Sequence, residues 1–125
     1  MARTALVVDD SATARMLIKR CIEIAGWVDA DIIEAANGQE GLDLLAVEEV
    51  DVLITDLNMP VMDGIELLKA VRADEQLFDL PVIVVTSTGN EAKEEELRIE
   101  GASKILSKPI SPAIIAETLD EMFGE

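Results

Sequence analysis

Histidine and tyrosine are absent from this chain of 125 residues, which also holds only one tryptophan, two phenylalanines and one cysteine. Without histidine no imidazole can serve as nucleophile. The lone thiol, Cys21, has no partner for an internal disulfide, so a reducing cytoplasm is the expected compartment. Positive charge is also scarce: 10 basic against 26 acidic residues leave a formal net charge of -16. Such a field repels phosphate backbones and anionic head groups, so neither nucleic acid nor membrane is expected as a direct partner. The opening MARTALVVDD lacks the long apolar stretch of a signal peptide or membrane span. Half the residues are apolar although aromatic rings are few, so the core must be built from Val, Ile, Leu, Ala and Met. That composition suits helices packed on a parallel sheet.

What is present alternates. Apolar runs and segments of helical period follow one another about five times, with no low-complexity tract, Pro/Ser-rich linker or internal repeat, which predicts one α/β domain over residues 1–125. Thr4 to Val8 reads as a buried strand, and Ala14, Leu17, Ile18, Cys21, Ile22 and Ala25 form the stripe of a helix ended by Gly26. That stripe makes Cys21 a core residue. Ile32 and Ile33 belong to a second strand, and Asn37 with Glu40 predicts a capping box on the second helix. Val50 to Thr55 is the third strand, and a third helix turns Ile65, Leu68 and Val71 inward after a turn containing Pro60 and Gly64. Pro81 opens a fourth strand, Val82 to Val85, and a short fifth lies around Lys104 to Ser107. Ser111 and Pro112 start the last helix, whose stripe is Ile114, Ile115, Thr118, Leu119 and Met122. The segment Asn90 to Glu100, with five glutamates and only Ala92, Leu97 and Ile99 as anchors, is expected to be the loosest helix.

Four of these strands end in polar residues: Asp9 and Asp10, Asp56, Thr86 with Ser87, and the run into Lys108. Each has an ordinary reading alone, as a solvated turn, a helix cap or a surface charge. Together they matter more, because the strands of a parallel sheet end at one edge, where open α/β folds bind ligands. Three carboxylates converging there need a cation, and hard oxygen donors with room for water favour Mg²⁺. With Lys108 the cation would make a positive pocket suited to a transferring phosphoryl group. Asp56 is then the expected nucleophile and an aspartyl phosphate the product. No GxxxxGK or GxGxxG loop is present, so the phosphate should come from another protein or a small activated donor rather than from bound nucleotide.

The early acidic pair, the aspartate followed by LNMPVMDG, the threonine after the fourth strand and the KP after the fifth resemble the receiver domain of two-component response regulators across essentially the whole chain. The resemblance implies a flavodoxin-like (βα)5 sandwich whose five-stranded parallel sheet runs in the order 2-1-3-4-5. It makes Asp56 the phosphoacceptor, Asp10 a direct Mg²⁺ ligand, Asp9 a ligand largely through water, and Asn58 a ligand through its backbone carbonyl. Thr86 and Lys108 would contact the phosphoryl oxygens, and the Lys108–Pro109 peptide would be cis. A histidine kinase or histidine phosphotransfer protein would be the donor. With no effector domain in the sequence, output would pass to another protein through the face of the fourth helix, fifth strand and fifth helix, as in chemotaxis receivers and phosphorelay shuttles. One position departs from the family: Ile105 stands where Phe or Tyr is usual, three residues before the lysine, so Thr86 and the fourth helix are expected to carry the signal. Asn58 and Thr88, each two residues past a site residue, are expected to set the lifetime of the phosphorylated state by controlling water access.

Two rival readings use the same residues. A Mg²⁺-dependent phosphoaspartyl phosphohydrolase needs a general acid two residues after its nucleophile and a cap over its substrate, whereas this chain has Asn58 there and no spare sequence for a cap. A module that binds partners without being phosphorylated has no need of the complete set of acceptor-site residues.

Overall fold

In a computed structural model, which describes residues 3–87 and 91–124, the chain alternates strand and helix throughout: β1 (Thr4–Val8), α1 (Ala12–Ile24), β2 (Asp31–Ala35), α2 (Gly38–Leu45), β3 (Val52–Asp56), α3 (Gly64–Ala73), β4 (Val82–Thr86), α4 (Glu91–Ile99), β5 (Lys104–Ser107) and α5 (Pro112–Phe123). All strand pairs are parallel and the sheet order is β2-β1-β3-β4-β5.

The pleat divides each buried strand between two cores. Leu6, Val8, Leu53, Val82 and Val84 face α2, α3 and Leu97 of α4. Ala5, Val7, Val52, Ile54, Ile83 and Val85 face Ile18, Cys21 and Ile22 of α1 and Ile115 and Leu119 of α5. Period-two alternation inside runs that are apolar on both sides is what a sheet covered by helices on both faces requires. No helix of the described residues is long and apolar enough to cross a membrane.

Local chemistry ends the helices as the sequence suggests, with some corrections. Beyond α1, Gly26 has φ 111, and N–H groups of Gly26 and Trp27 return to the carbonyls of Glu23 and Ile22, the paired bonds of a Schellman stop. Asn37 caps α2 by accepting from the Glu40 N–H at 2.9 Å, but the Glu40 carboxylate turns back to the Ala36 N–H at 3.1 Å rather than to that of Asn37. The complete capping box lies instead on α3, between Asp63 and Glu66. β3 runs two residues later at its start than the apolar pattern suggests, because Asp51 is held outside it by its carboxylate, which accepts the Thr4 N–H at 2.7 Å. Leu17, Ile99 and Ile114 are exposed although they fall on apolar stripes. Ala92 is exposed too, so Leu97 is the one fully buried anchor of α4. Asn90, the expected start of that helix, and Thr88 lie outside the described residues.

Candidate functional site

Strand register brings the polar ends together. Val8 pairs with Thr55, Asp56 with Val85, and Thr86 with Ser107, so Asp9 follows β1 level with Asp56 while Thr86 and Lys108 lie just beyond on the next two strands. Carboxylate oxygens of Asp9, Asp10 and Asp56 lie within 4.8 Å of one another. Lys108 Nζ stands 3.3 Å from Asp9 Oδ2 and 3.3 Å from Asp56 Oδ1. Asp9 and Asp56 are buried, whereas Asp10 opens to solvent.

Each side chain is held by its backbone setting. Asp9 follows directly on a buried strand, and its Oδ1 accepts the Ser11 N–H at 2.9 Å, so with Lys108 on Oδ2 both of its oxygens have donors. Thr55 donates its hydroxyl to the Asp56 carbonyl at 2.8 Å, and the Leu57 N–H supports the Asp56 carboxylate. Thr86 is buried at the carboxyl end of β4, and its carbonyl accepts the Lys108 N–H at 2.8 Å. The Lys108–Pro109 peptide is cis.

The loop after Asp56 needs its glycine. A Cβ on Gly64 would fall 2.4 Å from the Asp56 carbonyl oxygen, so the start of α3 can close on the end of β3 only without a side chain there. The loop is also strained at Val61. Its φ is 69, and the Met62 N–H reaches back to the Pro60 carbonyl at 2.7 Å, the bond of a γ-turn. A β-branched residue in that region costs roughly 1–3 kcal/mol. Met59 and Met62, packed against the core, hold the loop down on either side. Asn58 is exposed on this loop, and its part in the site rests on the resemblance alone.

Electrostatics follows from burial. Desolvation pushes the Asp56 carboxyl above its ordinary value, helped by nearby Asp9 and opposed by Lys108 and the Leu57 N–H. Burial would lower the Lys108 ammonium, but the two carboxylates outweigh it and raise it, so the lysine stays charged. One ammonium against three carboxylates leaves the cluster short of positive charge. Oxygen donors only, two of them buried and one open to water, match the donor set of Mg²⁺.

Arg15 has no place in the sequence reading. It donates to the Asp9 carbonyl at 2.6 Å and pairs with Glu34 at 3.0 Å, bracing the β1–α1 corner from behind. No local motif signals it, because its partners come from two other segments.

Over residues 5–120 the chain matches the family model described as response regulator receiver domain. It is 42% identical over 120 residues to a chemotaxis protein CheY homolog of Campylobacter jejuni, covering 95% of this chain and 91% of the relative. Chemotaxis protein CheY1 of Helicobacter pylori is 38% identical over 120 residues, with 95% of both chains covered. The structure of chemotaxis response regulator CheY4 of Vibrio cholerae has a TM-score of 0.88 at 32% identity, covering 98% of this chain and all of that one. A motif set in the right order, a matching sheet and a match over nearly the full length agree: the chain belongs to the response regulator receiver domain family.

Proposed function

We propose that residues 1–125 act as one receiver unit that accepts a phosphoryl group on Asp56 from a phosphohistidine donor, a histidine kinase or histidine phosphotransfer protein, in chemotaxis-type signalling. The observation that carries this reading is Lys108 standing 3.3 Å from both Asp9 and Asp56 within the three-carboxylate cluster. An Asp56 oxygen attacks phosphorus, the P–O bond forms as the P–N bond breaks, and the departing imidazole nitrogen is protonated from solvent. Lys108, kept charged by its neighbours, neutralises a phosphoryl oxygen, and the Thr86 hydroxyl donates to another. Asp9, Asp10, Asp56 and the Asn58 carbonyl would hold Mg²⁺, which when bound supplies the positive charge the cluster lacks. Asn58, two residues past Asp56, borders the approach of hydrolytic water. Cys21, buried and unpaired, suits a reducing cytoplasm. The relatives' names point to chemotaxis, and output to a partner through the α4, β5 and α5 face is part of the same reading. A phosphohydrolase would need an acid where Asn58 stands, which disfavours it. The test is mass spectrometry after treatment with a small acyl phosphate: we expect one Mg²⁺-dependent adduct on the protein and none on Asp56→Asn. An undiminished adduct on Asp56→Asn would defeat the assignment.

A further inference from the structure

At the edge of the sheet opposite the phosphoacceptor, α2 and α3 end side by side and leave between them an open groove of about 900 Å³. Its floor is apolar, formed by Leu42, Val50 and Leu77, with Val47 at its margin 77% exposed. Phe78, next in the chain to Leu77, is 58% exposed. Its rim carries the exposed carboxylates of Glu48, Glu49, Asp74 and Glu75, and no basic residue lines it. Among the described residues none of these four takes part in an ion pair.

The backbone adds charge of the same sign. Both helices direct their negative dipole ends at the groove, and α2 has no basic residue in its last turn. α3 has Arg72, but that guanidinium turns inward to the carbonyls of Gly101, Phe78 and Leu80 and leaves the rim uncompensated. A groove between two helices that combines apolar side chains with carboxylates outside any ion pair, and that two helix C-termini border, is complementary to a helix with one apolar face flanked by Lys or Arg.

We propose that this groove docks a cationic amphipathic helix of a partner protein, at a surface separate from the phosphoacceptor and from the α4, β5 and α5 face. The apolar floor would take its leucine-like anchors, and the rim carboxylates its flanking ammonium or guanidinium groups.

A helical peptide of about 14 residues, roughly four turns, with Leu along one face and Lys along the other, is the probe. It is titrated into isotope-labelled full-length protein and followed by NMR. Amide shifts should concentrate at the ends of α2 and α3. Binding should weaken by about tenfold in Glu48→Lys/Glu75→Lys and in Val47→Ser, as losing rim charge or an apolar anchor entails. Acyl-phosphate labelling of Asp56 in these variants should match wild type, which separates this surface from the phosphoacceptor. The proposal is overturned if a Lys/Ser peptide of equal charge binds as tightly, if the shifts centre on the glutamates of α4, if both variants bind like wild type, or if no binding occurs.

Discussion

Asp56 owes its place to the last position of a fully buried strand, where a carboxylate is expensive unless something needs it there. Because its folded-state value is raised, chiefly by desolvation, its stabilising contribution is complete below the ordinary carboxylate range near pH 4 and is lost as pH rises through the raised value. At neutral pH, without metal, ionised Asp56 therefore opposes folding. Asp56→Asn should melt a few degrees higher than wild type at pH 7 in EDTA, and the difference should shrink toward pH 4. Paired thermal melts at the two pH values check this; a variant equally or less stable at pH 7 would mean that Lys108 more than offsets the burial. At this scale the sequence was readable for Asp9, Asp10, Asp56 and Lys108 as a set, because polar residues at the ends of parallel strands share one edge, although each alone reads as a turn, a cap or a surface charge. Arg15 was not, since its importance lies in contacts to the Asp9 carbonyl and Glu34 that only folding creates.

Among the helices, α4 has the fewest buried residues: one anchor, Leu97, with ion pairs such as Arg98 with Glu95 on an exposed face. Ile105 lies half-buried against the same core as Leu97 and cannot perform an aromatic ring exchange. If a phosphoryl group draws the Thr86 hydroxyl inward, the space freed beside β4 can be filled by Ile105 or by a shift of α4, and states a few kcal/mol apart suffice for a switch. Binding of a phosphoryl mimic should then change amide exchange mainly between Thr86 and Glu100 and around Ile105, and Thr86→Ala should suppress the change while keeping phosphorylation. An unchanged α4 would remove this route. A second element-level device is Arg72, whose fork ties α3 to the segments before β4 and β5 through the carbonyls of Phe78, Leu80 and Gly101. Arg72→Ala should cost about 2–3 kcal/mol by urea unfolding, and Arg72→Lys should restore little, because an ammonium cannot reproduce the planar fork.

Across the whole molecule the two edges of the sheet are chemically distinct. Asp9, Asp10, Asp56 and Lys108 occupy the carboxyl edge, whereas Trp27 lies past the α1 stop at the other, edge-on to Phe123 at 5.4 Å and with the Arg3 guanidinium 4.9 Å from its ring centre. Trp27 fluorescence should therefore barely respond to Mg²⁺ at constant ionic strength; saturable quenching that disappears in Asp10→Ala would reveal coupling across the domain. The alternation of strand and helix, the cap at Ser111, the stop at Gly26 and the acidic strand ends were all determined by the sequence, because each depends on residues a few positions apart. Which stripe positions face solvent, as Leu17 and Ile99 do, was decided by tertiary packing, since an apolar stripe wider than the surface it covers leaves its margin exposed. The 3.3 Å approach of Lys108 to Asp9 and Asp56 was decided there too, because strand register, a property of paired chains rather than of any one segment, sets which distant ends meet.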